Sequence, residues 1–289
     1  MLTEPTRTEP SQASITLIVL TRDEERHIGR CLRSAIGTVS RIVVVDSYST
    51  DRTIEIAHDL GAHVVQHTFR NQAEQFQWAL DEIDIGTDWV LRLDADEYLE
   101  PELAHEIRTR LPGLPADVTG INLRRKVIFR DQWIRYGGIY PSIFLRLWRH
   151  GSARIEQRWM DEHAVLTKGH AVTFAHDFAD HNLNDITWWT DKHNRFTTRQ
   201  MVDFLNLELG MFPVDRDLEE GRGSQARWKR FLRNRVFART PLYVRGLLYF
   251  AQRYLLRLGF LDGRNGFVFH FLQGCWNWIL VDAKIDEAR

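Results

Sequence analysis

The chain has 289 residues, 44% hydrophobic and 27% charged, with a formal net charge of −1. That is the composition of an ordinary globular protein with room for one large domain or two smaller ones, and its overall charge points to no partner. Two cysteines far apart, Cys31 and Cys275, form no disulfide or metal-binding pattern and suit a reducing compartment. No uninterrupted apolar run reaches the ~18 residues of a membrane span.

Residues 1–14, MLTEPTRTEPSQAS, are polar and read as a disordered tail rather than a signal peptide. ITLIVL at 15–20 reads as a buried strand. The helical spacing of Ile28, Cys31, Leu32 and Ala35 follows, with Thr21 or Asp23 as candidate caps. RIVVVD at 41–46 is a second strand, SYSTD a polar turn and TIEIAHDLG a helix that Gly61 terminates. AHVVQHTF, NQAEQFQWALDEI and DWVLRLD at 88–94 continue the alternation as strand, helix and strand. Strands alternating with helices argue for a mostly parallel sheet, whose ligands bind beyond the carboxyl ends of the strands. Thr21 to Glu24, Asp46 to Asp51 and Asp94 to Glu97 all fall at such ends.

PELAHEIRTRLP at 101–112 is a helix stopped by Pro112. From 118 to 175 shorter β-like pieces, INLRRKVIF, IFLRLWR and HAVTFAH, fit antiparallel strands packed beside the first half. A helix over 185–209 closes a catalytic unit spanning 15–212, and a polar linker occupies 213–227.

The last segment, 228–289, differs in kind. Between Trp228 and Leu261 stand eight Lys or Arg residues and no Asp or Glu, interleaved with large apolar groups. A helix of that type has a cationic and an apolar face suited to an anionic bilayer interface. The alternative is a helical subdomain packed on the core with its arginines solvated. No nucleic-acid motif accompanies the basic run, so nucleic acid is not an expected partner.

In VLRLDADEYL, residues 90–99, Asp94 and Asp96 are two apart and point the same way in an extended segment. Like charges held together call for a divalent cation or for a solvated turn.

Together TRDEE, VVVDSYSTDRT, LRLDADE and WMDEH resemble the family-two glycosyltransferases. Within them the chain is similar to bacterial lipopolysaccharide-core β-glucosyltransferases and capsule or exopolysaccharide enzymes. The motifs cover residues 15 to 200, and LGFLDGRNGFVFHFLQGCWNWILVDAK extends the likeness into the tail. The resemblance implies an α/β GT-A fold: a Rossmann-like, mostly parallel sheet with helices on both faces, here followed by a helical membrane-associating region. It also implies inverting transfer of a hexose from a nucleotide-diphosphate donor, with a UDP-sugar expected. The acceptor implied is a lipid-linked saccharide at the cytoplasmic face of the membrane.

Carried onto this chain, Thr21 and Glu24 would line base and ribose, and Asp46 with Ser49 would contact the nucleoside. Asp96 would bind Mg²⁺ or Mn²⁺, Asp94 the ribose or metal-bound water, and His181 would complete the metal shell. Oxygen ligands suit either ion. The general base would come from WMDEH, with Glu162 first, Asp161 second and His163 third. Lys192 and Arg195, three apart on one helical face, are candidates for phosphate contacts. Of Trp188 and Trp189, one is expected in the core. Two departures stand out: Tyr48 occupies a turn position where the family favours small residues, and FQWAL at 76–80 stands where many relatives have Arg-Asn. A metal-dependent hydrolase or phosphatase using the same aspartates, and a non-catalytic nucleotide-sugar-binding module, are the other readings.

Overall fold

Four apolar runs become the parallel half of a nine-stranded sheet in a computed structural model that describes residues 13–157, 162–211 and 240–289. They are β1 (Ile15–Thr21), β2 (Arg41–Asp46), β3 (His63–Gln66) and β4 (Trp89–Asp94), in the order β3-β2-β1-β4. The connecting helices are α1 (Ile28–Ala35), α2 (Thr53–Asp59) and α3 (Gln72–Glu82). Strand alternation sends Leu17, Val19, Leu91 and Leu93 to one face, against Ile28 and Leu32 of α1. Ile18, Val43, Val45 and Val90 go to the other, against Phe76 and Ala79 of α3. Each fully buried aliphatic side chain stabilises by about 1.5–3 kcal/mol, so both layers are strongly specified.

Beyond β4 come β5 (Glu97–Leu99), α4 (Pro101–Arg110), β6 (Val118–Phe129), β7 (Gln132–Ile134) and β8 (Ser142–Arg149). A small hairpin, β9 (Ala153–Ile155) with β10 (Ala164–Leu166), precedes β11 (His170–His181). β8 joins antiparallel to β4, and the order continues β8-β6-β11-β5. The Rossmann-like parallel half, the antiparallel extension and helices on both faces are the expected GT-A architecture.

One local expectation fails. Neither Thr21 nor Asp23 caps α1, which starts at Ile28 with His27 at its N-cap and no side-chain cap. Residues 21–25 are held instead by the β2–α2 turn. Asp23 N and Glu24 N donate to Ser49 Oγ and Thr53 Oγ1, while Thr50 N donates back to Asp23 Oδ1. These tertiary hydrogen bonds outcompete a local cap.

α5 (Ile186–Leu209) follows β11, capped by Asp185, which accepts from Trp188 N at 2.8 Å, and ends at left-handed Gly210. The tail is helical: α6 (Val244–Ala251), α7 (Gly263–His270) and α8 (Asn277–Ala288). Val281 and Ile285 of α8 pack on Phe204 of α5, and Phe269 of α7 joins Phe129 and Ile134. Asp262 fixes the turn before α7 by accepting from Arg135 N and Tyr136 N at 3.0 and 2.9 Å.

The polarity expected of this tail is partly reversed. Arg245 and Arg253 are buried, Arg245 paired with fully buried Asp282 and Arg253 lying over the rings of Tyr249 and Phe269. Leu247, Leu255, Phe260 and Phe267 face outward, and Leu256 is 80% exposed, beside exposed Arg257 and Arg264. No helix among the described residues is long and apolar enough to cross a membrane. The 213–227 linker and the basic run from Trp228 to Arg239 lie outside the described residues.

Candidate active site

Three strand ends meet at one edge of the parallel half. Thr21 ends β1 and donates its hydroxyl to Asp46 Oδ1, at the end of β2, at 3.0 Å. Asp46 is fully buried; Ser49 gives it both its backbone N–H, at 2.8 Å, and its hydroxyl. Asp46 therefore shapes the turn in which Tyr48 sits at φ 59° and is 56% exposed. A left-handed φ is where a side chain costs energy and glycine does not.

Glu24 is held through a relay. Leu183 N donates to His27 Nε2 at 2.9 Å, which fixes the tautomer, so His27 Nδ1–H donates to Glu24 Oε2 at 2.6 Å. Burial raises the Glu24 pKa, with His27 opposing.

At the end of β4, Asp94 N donates to Glu97 Oε2 at 2.9 Å, closing the turn that carries Asp96. Arg146 of β8 reaches both carboxylates, at 2.6 Å to Glu97 Oε1 and 3.4 Å to Asp94 Oδ2. Desolvation works to raise Asp94, but Arg146 and Arg92 outweigh it and hold the group down to about 2. Burial pushes fully enclosed Glu97 upward, with Arg146 opposing and the Asp94 charge adding to the rise. Asp94 stays ionised at neutral pH, keeps about a third of its side chain open and accepts from Gln72 Nε2 at 3.2 Å.

Asp96 Oδ2 accepts from Asn182 Nδ2 at 2.9 Å and faces Lys192 Nζ at 3.9 Å, while Oδ1 meets no donor among the described residues. The open oxygen of Asp96, with the ionised Asp94 two residues before it, offers hard oxygen donors of the kind Mg²⁺ or Mn²⁺ takes together with substrate phosphates. Among the described residues no three His, Cys, Asp or Glu side chains form a complete protein cage.

His181 stands behind this pair. Its Nδ1 lies 3.0 Å from Arg30 Nη1 and its Nε2 3.0 Å from Asp131 Oδ1, and burial lowers its pKa. Both ring nitrogens are thus engaged away from Asp96, and the side chain touching Asp96 is that of the next residue, Asn182.

Glu162 lies beside the cleft because Arg92, inside β4, donates to it at 2.7 Å. His163 stacks near Phe144, its Nδ1 3.9 Å from Glu156. Asp161 lies outside the described residues. Lys192 points into the site while Arg195 is exposed, so the two do not act together. Trp189 packs with Phe129 in the core, as one of the pair was expected to, and Trp188 lies beneath Lys192 Nζ at 4.8 Å.

Sequence reading placed Glu97 at the strand end without a role and missed Arg92, Arg146, Gln72 and Asn182. A usable signal existed: Leu91-Arg92-Leu93 and Leu145-Arg146-Leu147 each place one arginine in a buried run, and such a charge needs a nearby carboxylate.

A family model described as glycosyl transferase family 2 matches residues 16–181, more than half of the chain. An uncharacterized glycosyltransferase of Rickettsia felis is 39% identical over 93 residues, 32% of this chain and 32% of that protein. The chain thus spans about a third of the length of the curated relatives it matches. Among solved structures, S. aureus TarS 1–349 aligns over 96% of this chain and 92% of its own at 11% identity and TM-score 0.46. Glucosyl-3-phosphoglycerate synthase of Mycobacterium tuberculosis, crystallised with Mn²⁺, UDP and glucosyl-3-phosphoglycerate, aligns over 40% of this chain and 44% of its own, at 21% identity and TM-score 0.31.

Proposed function

The chain belongs to glycosyl transferase family 2, and from that premise we propose that it moves a hexose, with inversion, from a nucleotide-diphosphate sugar to a saccharide acceptor. The observation that carries this reading is Arg92, whose guanidinium stands between Glu162, at 2.7 Å, and Asp94, at 3.8 Å. Arg92 thus links the candidate base to Asp94, which supports this reading.

In this reading Asp96 and Asp94 hold Mg²⁺ or Mn²⁺ against the donor diphosphate, and the ion, when bound, neutralises charge on the leaving group. Lys192 adds a cation for phosphate oxygens, and Thr21, Glu24, Asp46 and Ser49 shape the nucleoside pocket. Glu162 takes the proton from the acceptor hydroxyl as the new glycosidic bond forms. Arg92 orients that carboxylate and Arg146 keeps Asp94 charged.

The acceptor is a lipid-linked saccharide, and the enzyme works peripherally on the cytoplasmic face of the membrane. Leu256, Phe260 and Phe267, exposed beside Arg257 and Arg264, support this: apolar groups flanked by cations suit an anionic interface.

The test is turnover of UDP-hexoses with Mn²⁺, before and after EDTA. Turnover that disappears with EDTA and returns with Mn²⁺ is expected. Undiminished turnover in EDTA overturns the metal assignment. Metal-independent donor binding without turnover on any acceptor indicates a sugar-nucleotide-binding module instead.

A further inference from the structure

An open depression lies outside the cleft, in the wedge between α1 and α4 beneath β5. It has a volume of about 550 Å³ and is lined by Arg30, Arg33 and Arg108, with Ser34 and Tyr98 among its other walls and no acidic residue. Three guanidiniums around one space repel one another unless something anionic sits among them.

Their present partners leave that charge uncompensated. Arg33 is exposed and meets no acceptor among the described residues. Among the described residues Arg108 donates only to a neutral hydroxyl, Thr38 Oγ1, at 2.9 Å. Arg30 borders the space with its guanidinium over the Tyr98 ring at 4.7 Å.

We propose that this depression is a separate anion site that takes a phosphate group, with Arg33 and Arg108 as its donors and Arg30 adding positive charge at its wall. The planar fork of arginine pairs with phosphate oxygens through parallel N–H···O bonds. Tyr98 and Leu99 give the site an apolar wall for whatever carries that phosphate. Arg30 also ties the site to the cleft, because its Nη atoms hold His181 Nδ1 at 3.0 Å, the His181 carbonyl, and the Asp96 carbonyl at 3.4 Å. The site stands on these residues alone and does not depend on the transferase reading.

The test is calorimetric titration of the full chain with inorganic pyrophosphate in EDTA, where the aspartate pair has no cation to hold a diphosphate. The unmodified protein is expected to bind, and the doubly substituted Arg33→Gln, Arg108→Gln protein to bind roughly tenfold or more weakly. Both positions are exposed, and an unchanged thermal midpoint in phosphate-free buffer verifies the fold; Arg33→Gln alone serves if the double variant does not fold. A parallel arm with phosphatidylglycerol vesicles separates the sources. Vesicle binding that survives the substitutions identifies a soluble phosphate compound, and vesicle binding lost with them identifies a lipid headgroup. No pyrophosphate binding, or equal affinity in both proteins, overturns the proposal.

Discussion

Arg92 Nη2 lies 2.7 Å from Glu162 Oε1, joining the middle of a buried central strand to a motif seventy positions later. Arg92 is 5% exposed, so this ion pair is shielded from water. Breaking a buried pair by removing one partner leaves an uncompensated charge. Arg92→Met is therefore expected to lower unfolding stability by about 3–5 kcal/mol in urea titrations.

Glu162→Gln keeps the hydrogen bond to Arg92 and removes the base. Donor binding is expected to remain while turnover falls by about 10²–10⁴. Retained turnover would transfer the role to Asp161 or His163. An equal loss of donor affinity would mean that the carboxylate acts on the donor instead.

Lys192 Nζ faces Asp96 Oδ2 at 3.9 Å, so the cation competes for the charge that would hold a metal. Lys192→Met is expected to act in opposite directions on two ligands. Mn²⁺ alone should bind more tightly, and the nucleotide diphosphate in saturating Mn²⁺ roughly tenfold more weakly. Calorimetry with each ligand separately reads both signs, and a change of the same sign for both would count against this placement of Lys192.

Tyr48 holds φ 59° and is exposed, in the turn that the proposed function gives to the nucleoside. Tyr48→Gly is expected to raise stability by about 1 kcal/mol by removing the left-handed strain. The same change should weaken donor binding if the ring lies on the base. Thermal shift without and with nucleotide separates the two effects.

His193 stacks on Trp189, its Nδ1 2.9 Å from the Trp189 carbonyl, and burial holds its pKa down to about 4 from 6.5. Above pH ~6.5 neither folded nor unfolded chain protonates this ring, and its contribution to stability is complete. As the pH falls toward 4 the unfolded chain takes a proton that the folded chain refuses, and stability is lost by up to about 3 kcal/mol. His193→Phe keeps the stack and is expected to remove that part of the acid sensitivity between pH 6.5 and 4. Identical pH profiles for the two proteins would place the loss elsewhere.

Much of this molecule is legible without coordinates. The alternation of ITLIVL, RIVVVD and DWVLRLD with amphipathic helices fixes a parallel sheet, because strand and helix periods are properties of neighbouring residues. Gly61 and Gly210 end their helices at positive φ, and Asp94 and Asp96 fall at a strand end for the same local reason. The family motifs rest on that regularity.

Tertiary structure alone decided the partners. Residues 22–27 read as the start of a helix, yet they hydrogen-bond to a turn some 26 positions away. Arg245 reads as a cation for solvent or lipid, but Asp282, 37 residues later, draws it inside and leaves leucines facing outward. Arg146 serves Glu97 and Asp94, and Arg92 serves Glu162, across separations of 49 to 70 residues. Periodicity settles which residues become strand or helix, since that competition is among adjacent backbone groups. Which carboxylate a buried arginine meets depends on strands brought together by the whole sheet, because electrostatic pairing follows distance in space and not order in the chain.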